Sequence, residues 1–306
     1  MHSCAPYFAL IFNAMVWGLA WFPFKTMHAH GLVASWATCL IYTVLLTITT
    51  VCAPRSWRDV LRMPALWLLA LTSGLTNVAF NTASSTGDVV RVILLFYLMP
   101  AWTVLLAWRF LGERPSLAGL LRLALAFTGM ALVIIPQGAT WQSMTAGIAL
   151  PDYLAVFGGL CFAATNVVLR RTGAAQPLSR MLAMFIGCMG TGLIVAGSST
   201  AAGWLPGIPA PDTVWVFCVL GMAVLVGIGN WALQFGASRL PTATTSLLLL
   251  SEVLFASVSA WLLGATELTP RMLLGGVLII AGALLAALQG RRRSISVDHQ
   301  KTARKH

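Results

Sequence analysis

Continuous apolar runs of about 20 residues, the length an α-helix needs to cross the hydrocarbon core of a bilayer, recur along the whole 306-residue chain. That ruler predicts ten spans, at residues 6–27, 31–53, 64–84, 89–110, 117–135, 151–169, 181–200, 212–235, 244–263 and 271–289. The gaps carry helix-breaking punctuation at Pro54, Pro64, Gly112 to Pro115, Pro136, Gly138, Pro177, Pro206 to Pro211, Pro241 and Pro270. The runs do not alternate apolar with polar residues, as the wall of a transmembrane barrel must. With 58% hydrophobic and 9% charged residues, the chain lacks the charge that a soluble surface of this size requires. The expected fold class is an all-α membrane protein whose constant partner is the lipid bilayer.

The charges test the number of spans, because cytoplasmic loops are enriched in Lys and Arg. With both termini in the cytoplasm, the inner loops hold Arg55, Arg58, Arg62, Arg109, Arg114, Arg170, Arg171, Arg180 and Arg239. Six more positives fall in a basic tail over residues 290–306, whereas the outer side holds Lys25, Arg91 and Arg271. Arg122 lies one turn inside the fifth span. One missed span would scramble this asymmetry. The net charge of +11 therefore records orientation in the cell inner (plasma) membrane, with attraction to anionic lipid heads, and gives no reason to expect nucleic acid.

The six cysteines form no C-x-x-C pair, so neither a disulfide framework nor a zinc site is expected. The first run has no preceding Lys or Arg and is too long for the apolar core of a signal peptide, so it reads as a mature span.

Ten spans divide into residues 1–135 and 151–289, joined by a linker at 136–150. An odd number per half inserts the second half upside down. Phe110-Leu111-Gly112-Glu113-Arg114-Pro115 before an apolar span with Gly129 is echoed by Leu262-Leu263-Gly264-Ala265-Thr266-Glu267 before one with Gly282. Inverted repeats that share a binding site near the midplane are a recurrent transporter architecture.

Met15-Val16-Trp17-Gly18-Leu19-Ala20-Trp21 resembles the opening helix of the EamA branch of the drug/metabolite transporter superfamily. Leu94 to Trp102, with Pro100, and Leu111-Gly112-Glu113-Arg114 resemble that family's fourth-helix proline and following Gly-Glu. Leu250-Ser251-Glu252-Val253-Leu254-Phe255, with Gly264 and Glu267, resembles the second repeat's version, although the family commonly has Pro where this chain has Val253. The resemblance covers residues 6–289. It implies a ten-helix carrier of two inverted five-helix repeats that moves small organic metabolites, often amino acids, frequently outward.

Within the spans a buried charge is costly and therefore a functional candidate. Glu252 stands about 12 Å into its span at 1.5 Å per residue, with no Lys or Arg in that span to pair with it. It either titrates during a transport cycle, which would allow proton coupling and recognition of a substrate amine, or locks two helices together. Asn77 with Asn81, and Asn230 with Gln234, are four apart and share a helical face. With Asn166 and Tyr97 they are expected to line a wet cavity, the alternative being interhelical hydrogen bonds.

Asn13, Trp17 and Trp21 follow one line on the first span. That spacing makes Trp17 a candidate cavity wall, and Trp21 an interface anchor or part of an outer gate. Asp88 and Arg91 form either a helix cap or an outer gate. Pro100 deletes a mid-span hydrogen bond, giving a hinge or a fixed bend.

No catalytic constellation is expected, because His2, His28, His30, His299 and His306 fall at ends or in loops and an intramembrane aspartyl protease needs two acids. No cofactor or metal is expected. A channel would need charged rings or a filter-like loop. A sugar-nucleotide or phosphorylated-metabolite exchanger of the same superfamily is the alternative carrier, but anionic cargo should demand Lys or Arg deep in the cavity, and Glu252 supplies the opposite sign. The expected cargo is a neutral, zwitterionic or cationic small molecule; oligomeric state is not set by the sequence.

Overall fold

The computed structural model describes residues 4–86, 89–135, 138, 140, 148–263, 269–271, 273–282 and 284–285. Among these every regular element is helical, as lipid demands of a chain that must satisfy its own backbone polar groups. The helices are α1 (Ala5–Leu19), α2 (Trp21–Ala29), α3 (Ala34–Cys52), α4 (Ser56–Arg62), α5 (Pro64–Thr86), α6 (Val89–Phe96) and α7 (Met99–Leu111). They continue with α8 (Leu117–Ile134), α9 (Leu150–Arg171), α10 (Pro177–Ala201), α11 (Thr213–Ala237), α12 (Thr242–Leu249) and α13 (Glu252–Leu262), and with a last described stretch, α14 (Leu273–Gly282). The basic tail and most of the 136–150 linker lie outside the described residues.

Local chemistry sets the boundaries. Pro6, Pro64, Pro100, Pro151 and Pro177 sit in first turns, where the missing N–H has no intrahelical role. Ser116 Oγ caps α8 by accepting from the Gly119 N–H at 3.1 Å, and Asp152 turns back to accept from the Ala149 N–H at 2.8 Å. Many span hydroxyls bond the carbonyl one turn earlier, as Thr38 does to Ala34 and Thr43 to Cys39, both at 2.8 Å, which hides a polar group inside its own helix.

Among the described residues, five segments are long and apolar enough to cross a membrane: Ala5–Ala29, Ala34–Cys52, Leu150–Arg171, Pro177–Ala201 and Thr213–Ala237. A sixth is reached if α4 and α5 as far as Ala83, bent by 97°, count as one. At two of the ten expected spans the difference has a physical cause. The runs at 89–110 and 244–263 are each parted into two short helices, α6/α7 and α12/α13. Large apolar side chains such as Phe8, Val51, Ile194, Phe217 and Leu262 stand exposed around the outside, which suits contact with lipid.

The two halves of the chain interlock. α1 packs against α11 and α13, while α9 packs against α5 and α7. α3 lies on α10 and α11, α10 lies on α3 and α5, and α7 meets α12. Exchanging α1 for α9, α3 for α10, α5 for α11 and α7 for α13 maps the α1–α11, α1–α13 and α3–α11 packings onto α9–α5, α9–α7 and α10–α5.

One face of the bundle, here the basic face, gathers the ends of α9 and α11 and the start of α10. There Ser179 donates to the Asp59 carboxylate at 2.7 Å, Thr242 to Glu113 at 2.7 Å, and Arg170 to the Ser238 carbonyl at 2.6 Å. At the opposite face His30 pairs with Asp212, and Trp36 donates to Thr200 at 3.2 Å.

Candidate functional site

The breaks at 97–98 and 250–251 create the site. Pro100 has no N–H to give the carbonyl of Phe96 four residues earlier, and the ladder there slips to three-residue bonds from Leu98 to Leu95 and from Ala101 to Leu98. α9 fills the gap with Gly159, where an added Cβ would stand 2.5 Å from that Phe96 carbonyl oxygen. The second break has Val253 in place of a proline, yet its ladder also slips, with the Val253 N–H bonding Leu250. Here α1 fits closely through Gly18, whose added Cβ would meet the Glu252 carbonyl oxygen at 2.7 Å. In each half a helix crosses the other half's break on a glycine.

At the crossing of the breaks, Tyr97 ends the first half-span and Glu252 opens the second. The buried Tyr97 hydroxyl and the Glu252 carboxyl face each other across the two breaks, near enough to act on each other. Trp17, next to Gly18, is half-buried against the core. Phe96 forms an aromatic wall, with ring centroids 4.6 Å from Phe80 and 6.0 Å from Phe162.

A second polar cluster joins α3, α5, α10 and α11. The buried Tyr42 hydroxyl stands among Asn77, Cys188 and Asn230, near enough to act on each, and Asn77 donates to Cys188 Sγ and to the Ser73 carbonyl, both at 3.2 Å. Asn81, one turn away, donates to Thr38 Oγ1 at 2.7 Å, and Asn13 donates to the Gly229 carbonyl at 2.9 Å. Asn77 and Asn81 thus make interhelical bonds, whereas the Asn230 Oδ1 has no partner. Asn166 is 0% exposed and neither of its amide atoms has a partner, while Gln234, also fully buried, leaves Oε1 unpaired. A buried polar atom without a partner costs about 1–3 kcal/mol.

Tyr42→Phe should lower the thermal midpoint of the purified protein, because it removes a buried hydroxyl that stands among three polar side chains from three other helices. At an average of about 0.6 kcal/mol per interhelical bond in a membrane, the loss is about 1–2 kcal/mol. A midpoint equal to wild type would show that the cluster does not hold these helices together.

The remaining sequence candidates are dispersed. Trp21 Nε1 donates to Ser259 Oγ at 2.9 Å, fastening α2 to α13. Its ring lines an apolar cleft of about 260 Å³ with Phe12, Met15, Met222 and Leu263, away from the polar clusters. Asp88 lies outside the described residues, as does the side chain of Arg91 in α6. Pro100 stands at the first break. Arg180, assigned to an inner loop from the charge pattern, is instead buried inside the helical body at 2% exposure, because α4 and α11 pack over the start of α10. Tyr42, Ser73 and Cys188 were not singled out in the sequence; a lone thiol or tyrosine in an apolar run carries no signal of its neighbours.

The model of the EamA-like transporter family matches residues 5–135 and 149–288. A protein of Streptantibioticus cattleyicolor described as "Probable terminal-alkyne amino-acid exporter" is 29% identical over 213 residues, which is 68% of each chain. A solved crystal structure superposes with a TM-score of 0.77 at 17% identity, over 95% of this chain and 99% of that one. At that identity the likeness speaks for the fold.

Proposed function

The chain belongs to the EamA-like transporter family, and from that premise we propose that it is a secondary carrier exporting an amino acid or a related small metabolite across the cell inner membrane by alternating access. In this reading residues 1–135 and 151–289 are inverted five-helix repeats around a shared site, and the termini and the basic face lie in the cytoplasm. The packings of α1 and α3 that recur as those of α9 and α10 support the repeats, the asymmetry of Lys and Arg supports the orientation, and the relative's description supports the cargo class and direction.

One observation carries the proposal: two interrupted spans meet so that the acid at one break faces the tyrosine at the other. Interrupted helices near the midplane place polar groups and free backbone where a substrate can reach them without exposing them to lipid. A carboxyl that faces tyrosine in one state can exchange that partner for an ammonium or a proton in another, which gives the cycle a chemical step. Asn166 and Gln234 supply further unpaired amide atoms.

Proteoliposomes loaded with unlabelled amino acids should take up a labelled one with saturation, faster when the unlabelled form waits on the far side, and at a rate that responds to a pH gradient. Flux that neither saturates nor responds to internal substrate would overturn the carrier reading.

A further inference from the structure

Arg180 is first by volume among the fully buried side chains of the described residues, and its Nε and Nη1 have no hydrogen-bond partner. A guanidinium does not shed its proton in a protein, and a lone buried charge is paid for only when an opposite charge answers it. None of the described carboxylates forms an ion pair with it. Asp59 is engaged by Ser179 and Glu113 by Thr242. Its charged neighbour is Arg239, in the turn just past the end of α11, a second cation near enough to act on it.

Arg180 also heads a line. Arg180, Met184 and Cys188 follow one face of α10 at four-residue intervals, and α11 faces them with Gln234 and Asn230. Gln234 Nε2 contacts Met184 Sδ at 2.9 Å and leaves its Oε1 unpaired. Asn230 and Cys188 both stand next to the Tyr42 hydroxyl, and the Asn230 Oδ1 has no partner. A polar track therefore runs from the basic face into the interior, with an unanswered cation at its head.

We propose that Arg180 receives the carboxylate of the cargo at the basic-face end of this track, its planar fork matching two carboxylate oxygens and the Gln234 Oε1 accepting from a donor on the same molecule. This rests on the reading of the protein as a carrier of amino acids or their relatives, and it narrows the class to molecules with a free carboxylate; the matching amides and decarboxylated amines are rejected.

The test is a thermal-shift and binding series on the full-length protein in neutral detergent, with the proteinogenic amino acids, their amides and their amines as probes, beside acetate and phosphatidylglycerol. Wild type should be stabilised by at least one amino acid and not by its amide or amine. Arg180→Met should keep or raise the ligand-free midpoint, since it removes an unanswered charge, and should weaken that amino acid by about tenfold or more; Arg180→Lys should fall between. Equal binding to wild type and Arg180→Met, or a lowered midpoint with unchanged affinity, overturns the site while leaving the amino-acid reading standing. Stabilisation by acetate alone, lost in Arg180→Met, keeps the carboxylate site and overturns the amino-acid reading. Arg180-dependent stabilisation by phosphatidylglycerol alone assigns the site to lipid phosphate and overturns the proposal.

Discussion

Glu252→Gln should cut pH-driven flux roughly tenfold or more, the factor that about 1.4 kcal/mol of lost differential interaction supplies, and should flatten the dependence of the remaining flux on pH. The substitution preserves size and a polar group facing the Tyr97 hydroxyl across the two breaks, so the fold has no reason to change. What the amide lacks is a removable proton and a negative charge, the two properties that a coupling or amine-binding role requires. Proteoliposome flux measured over a pH series, with the thermal midpoint recorded beside it, separates the possibilities. A variant that transports like wild type with the same pH profile assigns Glu252 to helix fastening alone, as does one that loses stability in proportion to its activity.

The second large effect is on assembly. Where α5 crosses α10, a Cβ added to Gly187 would fall on the Ala70 carbonyl oxygen, and one added to Gly74 would stand 2.5 Å from the Gly187 carbonyl oxygen. Both obstacles are backbone, so neither can swing aside. Gly187→Leu should yield no monodisperse protein, and Gly187→Ala should destabilise by about 1–3 kcal/mol, the usual cost of overpacking. Gly190, on the same helix with nothing within 4 Å of an added Cβ, is the control; Gly190→Ala should melt with wild type. Equal melting of the Gly187 and Gly190 alanine variants would show that the helices are not so close.

The sequence showed that the chain is a helical membrane protein because continuous apolar length is a local property. It showed the first break too, since Pro100 announces its own missing donor. The second break was hidden: Val253 has an N–H like any other residue, and the ladder slips at a place marked only by the close approach of α1 through Gly18. Glu252 stood out by cost, as the acid in an otherwise uncharged run. Its partnership with Tyr97 joins residues in opposite halves, which spacing along one helix cannot reveal. Arg180 was misplaced for a related reason. A charge count assigns a residue to the nearest loop, whereas α4, turning sharply into α5, brings Asp59 to Ser179 and helps close over its neighbour. Asn77, Asn81 and Asn230 were legible as a set of inward-facing amides, but only the structure shows that they are gathered with Tyr42, Cys188, Ser73 and Thr38.

The interlocking of the halves also bears on how the molecule comes into being. The principal partners of α1 and of α5 all lie beyond residue 148, so the first half leaves the ribosome with the close-packing glycine faces of these two helices unanswered. Most of the interior it is built to fill arrives later. Quality control during synthesis therefore meets an open, inserted but unassembled bundle until α9, α10 and α11 arrive, and a truncation before them removes the protein's middle along with its end. Two separately made halves, by contrast, carry between them every surface the finished carrier needs, each serving as the template on which the other closes.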